Sequence, residues 1–534
     1  MAAHLSAAFS GDGEEVADVI ARHYLDALNA VPGDPDVGQI RGNAIGALIR
    51  AAERAQRTGA PARAAASYAT AAELTPPHAA AGQPTAGELW ERAAQAADTD
   101  ADYATEIGHA GRARGYHLEH CDSRAAARAQ ALCGRALRQW GRHSEAREQL
   151  TAALEVLQAE PGTDTVRALA QLAALEVSEG LPDADKRSAE VITLSQALDV
   201  DAGQIAALFI VRGHYLSFAG RHLEAAACFR EAVRLATPTE DTRRLGNALV
   251  NLSDVLATTD PAAAAEAARA AAGHLRRIGD REFLAFAIGN LVLALLTLGE
   301  WDAADQVLTQ AVDSDGLAYH ERVTCNRGWL AALRGDVSTA QSMLAALQDL
   351  RASEDPQDKA TISTVEAFTA IARRQPENAL RHARATLAHA RAIGISHEKL
   401  RWAWPLAARA AHELQDAATI RELLALLDDT QPGQLAPMLR AERDLVRARL
   451  SASRNEQAAD PALASAVSGL RELSSPYHVA HGLLDHARHL SRWHHAEAAA
   501  LAIDEARTIA GQLRCQPLLD RAADMTPAAP RIRG

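Results

Sequence analysis

Several residue types are scarce in this 534-residue chain, and each scarcity argues against a class of protein. Lysine is nearly absent. Only Lys186, Lys359 and Lys399 occur, so almost all positive charge is arginine, and the net charge is −13. The two signs are interspersed without a basic block. A protein that grips a phosphate backbone needs clustered cations, so nucleic acid is a poor default partner. Aromatic residues make up 4% of the chain and runs of Val, Ile and Thr are few, which argues against sheets. The five cysteines (Cys121, Cys133, Cys228, Cys325 and Cys515) form no C-x-x-C pair. They read as small buried hydrophobes in a reducing compartment. HLEHC at residues 117–121 has no second ligand pair at a supporting spacing, so no metal is expected.

Motifs of targeting and catalysis are missing too. MAAHLSAAFSGDGEE at the start has neither a basic end nor an apolar core, so a cytoplasmic chain is expected. The longest uncharged run, FLAFAIGNLVLALLTLG at 283–299, is slightly short for a membrane span and contains Gly289 and Asn290. It reads as a buried helix. Neither G-x-S-x-G nor H-E-x-x-H occurs, and no nucleophile stands beside a base. The expectation is a non-enzyme with no cofactor.

Alanine, leucine, glutamate and arginine dominate, and all favour helix. They are arranged in a repeat. GRHSEAREQLTAAL from Gly141 returns as GRHLEAAACFREAV from Gly220 and GEWDAADQVLTQAV from Gly299. With Gly59, Gly180 and Gly335, six glycines anchor a period of 39–40 residues. Weaker breaks fall near Thr99, Asp260, Arg374, Leu414, Arg454 and Trp493. Five positions after the glycine stands alanine (Ala64, Ala146, Ala225, Ala304, Ala340), with Asp185 the exception. Nine positions after it come Tyr68, Leu150, Ala189, Phe229, Leu308 and Leu344. Steps of four and three place such residues on one helix face. The anchor glycine supplies the turn. Gly134, Gly213 and Gly328, seven positions earlier, predict close helix–helix contact, because glycine inside a helix otherwise costs about 1 kcal/mol.

The pattern resembles the tetratricopeptide repeat, most clearly in GAPARAAASYATAAELTP at 59–76. Gln130 and Arg212 depart from it, standing where a bulky apolar residue is usual. The predicted fold is all-α: a right-handed α-solenoid of about twelve tetratricopeptide-like hairpins over residues 41–523. A helical segment would precede it (1–40) and a disordered tail would follow (524–534). Each hairpin is expected to bury its core against its immediate neighbours. The segments 432–437 and around Pro461 are the expected soft joints.

Residues 14–76 (EEVADVIARHYLDAL onward) and the last repeat, SPYHVAHGLLDHARHLSRWHHAEAAA, resemble a wider family. These are actinobacterial ATP-binding regulators that carry an adenylate/guanylate cyclase head or a LuxR-type DNA-binding end. The resemblance covers their helical-repeat region. None of the three lysines sits in a G-x-x-x-x-G-K-[ST] loop, so ATP binding of the family's kind is not expected here. The chain then reads as a sensor or scaffold arm for a protein, a peptide or a small effector, without direct nucleic-acid or membrane binding. The alternative is a truncated family member whose catalytic and ATP-binding parts lie on a separate head. First-helix residues are the candidates for a concave partner-binding face: Arg135, Arg138, His214, Trp329, Arg401, Trp402 and Trp404. The same pattern also fits core tryptophans and solvated arginines.

Overall fold

The structure, a computed structural model, describes residues 16–525 apart from 31–32, 78–81, 180, 182–183, 199, 240, 319, 432, 455–458 and 474. The described residues are all-α, without strands, and form a helical-repeat solenoid. After α1 (Ala17–Ala30), twelve hairpins follow in chain order. They are α2/α3 (Val37–Arg57, Pro61–Leu74), α4/α5 (Ala86–Thr99, Tyr103–Glu119), α6/α7 (Ser123–Gln139, His143–Leu157) and α8/α9 (Thr163–Ser178, Ala184–Ala197). Next come α10/α11 (Ala202–Phe218, His222–Ala236), α12/α13 (Thr242–Leu256, Pro261–Ile278), α14/α15 (Arg281–Leu298, Trp301–Asp313) and α16/α17 (Glu321–Arg334, Val337–Ala345). A short α18 (Gln348–Ala352) leads into α19/α20 (Pro356–Ala372, Pro376–Leu387), and a short α21 (Ala390–Ile393) into α22/α23 (Glu398–Glu413, Ala417–Asp428). The last two hairpins are α24/α25 (Pro437–Ser453, Ala459–Glu472) and α26/α27 (Pro476–Arg492, Ala496–Leu513), and α28 (Gln516–Asp524) closes the chain. A boundary at residue 40 thus falls inside α2, and residues 526–534 of the expected tail lie outside the described residues.

Two compact units divide the array: residues 1–215, 228–248 and 273–284 form one, and 216–227, 249–272 and 285–534 the other. In both, the turns follow the predicted anchors. Gly59, Gly141, Gly220, Gly299 and Gly335 all have φ between 73° and 87°, the left-handed region that a side chain resists. Gly180 lies outside the described residues. Where glycine is missing, a left-handed residue takes its place: Ala101, Arg374, Gln415 and His494, within two positions of the predicted breaks. Asp260 instead caps α13, accepting from the Ala263 N–H at 3.0 Å.

The face read from the repeat is the buried one. Ala64, Ala146, Ala225, Ala304 and Ala340 are fully buried, and Leu150, Phe229 and Leu308 pack beyond them. In α9 the face lies one residue earlier than expected: Ala184, Ser188 and Val191 are buried, while Ala189 and Ile192 are only partly so. Asp185 is therefore no exception to the alanine rule, since Ala184 holds that place. The two departures from the repeat pattern are met by polar pairs. Gln130 donates to Gln149 at 3.1 Å across α6/α7, and Arg212 lies 3.1 Å from Asp185.

The internal glycines make the close approach the sequence implied. A Cβ on Gly134 would lie 2.6 Å from Leu150 Cγ, and one on Gly213 would lie 2.6 Å from Phe229 Cε1. The apolar run at 283–299 forms α14. Ala285, Ala287, Ile288, Val292 and Leu295 are fully buried, and the helix is also long and apolar enough to cross a membrane by length and composition.

Packing only between immediate neighbours is corrected by the structure. Within the first unit, a Cβ on Gly59 would lie 2.9 Å from the backbone N of Gly279, five hairpins later. Within the second, Gly220 meets Gln434, Gly299 meets Pro476, and Gly335 meets Gln516. A glycine turn has no Cβ and so presents a flat backbone on which a later segment can rest. This also corrects the soft joint expected at 432–437. Gln434 Nε2 donates to Ala219 O at 3.1 Å, and the Ala436 N–H donates to Ser396 Oγ at 3.1 Å. Pro432 lies outside the described residues. Pro461 sits inside α25.

Filling the space at Gly213 tests this packing. Gly213→Ala is expected to lower stability by about 1–3 kcal/mol through overpacking, against at most about 1 kcal/mol returned by helix propensity. Adding Phe229→Leu restores part of the loss. A Gly213→Ala chain that melts at or above the wild-type temperature by circular dichroism contradicts the close approach.

Candidate functional site

The seven candidate residues follow different fates. In the first unit, Arg135 on α6 is drawn into a buried ionic cluster. Its Nη2 lies 2.6 Å from Glu106 Oε1 on α5 and 3.5 Å from Asp98 Oδ2 at the end of α4. Arg243, at the start of α12, donates from Nη1 to the same Asp98 oxygen at 2.6 Å and from Nε to Asp280 Oδ2 at 3.0 Å. Arg138, one turn beyond Arg135, is half-buried, and its Nε donates to Gln171 Oε1 at 3.3 Å. His214 is also half-buried, edge-on to Phe229 with ring centroids 5.7 Å apart.

Arg135 and Arg243 therefore share three carboxylates in a nearly dry space, and the carboxyls do not respond alike. Burial dominates at Glu106, which has no exposed surface: despite Arg135, and helped by the nearby Asp98 charge, its carboxyl is pushed up to about 7. Burial acts the same way on Asp98, but Arg135 and Arg243 outweigh it and hold that carboxyl below its usual value. Glu106 Oε2 and Asp98 Oδ1 have no hydrogen-bond partner.

In the second unit the candidate tryptophans are interior. Trp329, Trp402 and Trp404 are 1%, 2% and 0% exposed, so their rings fill a core instead of lining an open groove. Trp329 and Trp402 meet edge to face at 5.3 Å, Trp402 stacks on Tyr477 at 5.5 Å, and Phe368 completes the cluster. Trp404 donates from Nε1 to Leu423 O at 2.9 Å. Arg401, 6% exposed, donates to Ala257 O at 3.0 Å. Beside Arg401, burial and the Glu398 charge push the Asp254 carboxyl up to about 6. The physical reason is that first-helix faces from hairpins distant in sequence converge within the unit, so the surface expected to be concave and open is closed by its own side chains.

That convergence also buries an ionic network the sequence reading missed. Arg409 on α22 bonds Glu442 on α24, and Glu442 bonds His478 on α26. Arg449 Nε lies 3.0 Å from Asp485 Oδ2, and Arg521 on α28 bonds both Asp485 and His481. Burial drives the imidazoles of His478 and His481 below their ordinary value. Burial works against the Glu442 carboxylate too, but Arg409 and His478 hold its pKa below the usual range. One signal was available in the sequence. Counted back six places from the left-handed turn residue, Arg409 (from Gln415) and Phe368 (from Arg374) hold the same position as Arg135, His214 and Trp329. The breaks expected near Arg374 and Leu414 carry no glycine to fix this count to the residue. Likewise His117, in the HLEHC stretch, is buried against Glu91 with its Nε2 2.9 Å from Oε1, and no cluster of three metal donors occurs among the described residues.

No protein-family model matches the chain, and no curated protein sequence matches it. Several solved structures are similar to it at a low level. A monomeric mutant of IFIT1 with Gppp-AAAA has 15% identity and a TM-score of 0.41, covering 75% of this chain and 90% of that one. Rap protein complexed with competence and sporulation factor has 12% identity and a TM-score of 0.40, covering 82% and 98%. Cut9 in the APC/C Cut9–Hcn1 hetero-tetramer has 12% identity and a TM-score of 0.34, covering 83% and 94%. By its own helix order this chain is an all-α helical-repeat protein.

The two networks yield two tests. Because the Glu106 pKa is raised on folding, its contribution to stability is full below the unfolded value and is lost as pH rises through about 7. Between pH 5 and 8 the wild-type chain should lose about 2–3 kcal/mol relative to Glu106→Gln in urea unfolding. Parallel pH profiles for the two chains contradict the assignment. In the second unit, Glu442→Ala leaves Arg409 and His478 buried without their carboxylate and should cost about 3–5 kcal/mol, whereas Glu442→Leu with Arg409→Met should recover most of it. Equal losses in both variants would mean the pair is not a coupled unit.

Proposed function

We propose that the chain is a non-catalytic binding module that presents a preformed helical-repeat surface to a protein, a peptide or a small effector. The observation that carries this reading is where large apolar side chains remain exposed. In the second unit, Phe218 and Leu223 flank the Gly220 turn and are 56% and 78% exposed. In the first, Trp140 precedes the Gly141 turn at 48% exposure, with the Arg142 guanidinium 5.3 Å from its ring centroid. Folding does not require such groups at turn tips, and exposed aromatic and aliphatic anchors are what recognition surfaces use. The interior polar groups, by contrast, are largely spent on one another. Of the sequence candidates, half-buried Arg138 and His214 are the two this reading assigns to partner contact.

The finer reading follows the resemblance of residues 14–76 and of the last repeat. It makes the module a signalling or transcriptional-regulatory arm in a cytoplasm, linked to ATP-binding regulators whose cyclase or DNA-binding parts act elsewhere. A net charge of −13 favours a protein or effector over nucleic acid as the direct partner.

The test is capture from a lysate of an actinobacterium by the full chain and by a Phe218→Ser/Leu223→Ser variant. Proteins retained by wild type and lost by the variant, in a variant with an unchanged melting curve, support the reading. ATP hydrolysis or cyclic-nucleotide formation by the purified chain contradicts the non-catalytic assignment. Salt-sensitive duplex binding contradicts the choice of partner.

A further inference from the structure

One cavity lies apart from the two ionic networks and the exposed turn tips. In the second unit, a pocket of about 240 Å³ is lined by Asp460 and Pro461 at the start of α25, His489 near the end of α26, and Trp493 and His495 at the α26–α27 turn. The turn holds its shape through His494, whose φ of 60° is left-handed. At about 30 Å³ per water in the liquid, the volume equals roughly eight waters, enough for a small metabolite and too little for a folded segment.

Two buried polar groups in this pocket have no partner. His489 is 3% exposed and its Nδ1 makes no hydrogen bond; Trp493 Nε1–H is buried and finds no acceptor. Their rings converge, with centroids 6.3 Å apart. An unmade hydrogen bond on a buried group costs about 1–3 kcal/mol, so two in one cavity call for an occupant with polar atoms. Asp460 supplies the third feature. His486 holds its Oδ1 at 2.7 Å, and the carboxylate is half exposed, leaving its other oxygen to a ligand. Arg492, the nearby cation on α26, is engaged with Ala452 O at 3.2 Å.

These groups make opposite demands. Trp493 Nε1–H can only donate, so it requires an acceptor such as a carboxylate oxygen. The Asp460 carboxylate can only accept, so its free oxygen suits a cationic donor. The neutral His489 imidazole serves either, and the Trp493 ring and Pro461 offer an apolar wall. From this we infer that the pocket binds a small zwitterion, a free α-amino acid, with its ammonium toward Asp460 and its carboxylate toward Trp493 Nε1. The site is separate from the turn-tip surface proposed above, and either can fail without the other.

Isothermal titration of the full chain with each of the twenty free amino acids tests it, with n-butylamine and butyrate as single-charge controls. Saturable binding of at least one amino acid is expected. Affinity should fall at least tenfold in Asp460→Asn and several-fold in Trp493→Phe, which keeps the ring and removes only the donor. Unchanged circular-dichroism melts for both variants separate lost binding from lost folding. The inference is overturned if none of the twenty binds, or if both variants bind like wild type. It is also overturned if butylamine alone matches the amino acid, which would make this a cation site, or if butyrate alone does, which would make it an anion site.

Discussion

The structure depends on places where the backbone carries no side chain. Inside the first helices, Gly134 and Gly213 let Leu150 and Phe229 of the partner helices reach the backbone itself. At the turns, glycines at positive φ reverse the chain, and several of them form the flat spots on which a later hairpin lands. Gly141 has open space around it and serves the turn alone, whereas Gly59 and Gly220 serve both purposes. The buried alanines extend the same logic along the second helices. Close approach maximises dispersion contacts and excludes water, and in an alanine-rich chain with few aromatics there is little other bulk to build a core from.

Landing one hairpin on another several repeats away has an electrostatic consequence. First-helix faces that would be wetted in an open array face one another inside each unit, and they carry arginine, histidine and carboxylate. Buried charges are tolerated only when paired and hydrogen-bonded. The chain meets that requirement with shared networks: Asp98 and Glu106 with Arg135 and Arg243 in one unit, and Glu442 and Asp485 with Arg409, Arg449 and Arg521 in the other. The arginine bias of the composition suits this, because a planar guanidinium can bridge two carboxylates where an ammonium acts as a point charge. Geometry separates neighbouring carboxyls as well, so that Glu106 is raised toward neutrality while Asp98, about as deeply buried, is held ionised.

The candidate residues illustrate how far a repeat can be read. Arg135, His214 and Trp329, expected on one partner-binding face, share the position six before the turn, but their surroundings differ. Trp329 became core, Arg135 became an ion-pair hub, and His214 stayed half-buried against an aromatic ring. The α9 register, one residue off the glycine count, shows the same limit at the local level. A periodicity fixes a face to within one residue, and the packing partner then chooses the residue.

By itself, the chain's residue order determined the helical class, the hairpin period, the turn positions and the small-residue stripe, because each rests on contacts between residues within about forty positions. The tertiary structure alone decided which inner faces were shut, which charges became partners across 140 residues or more, and where a polar pocket formed at α25–α27. Those outcomes depend on how small rotations from one hairpin to the next accumulate. No local pattern records that sum.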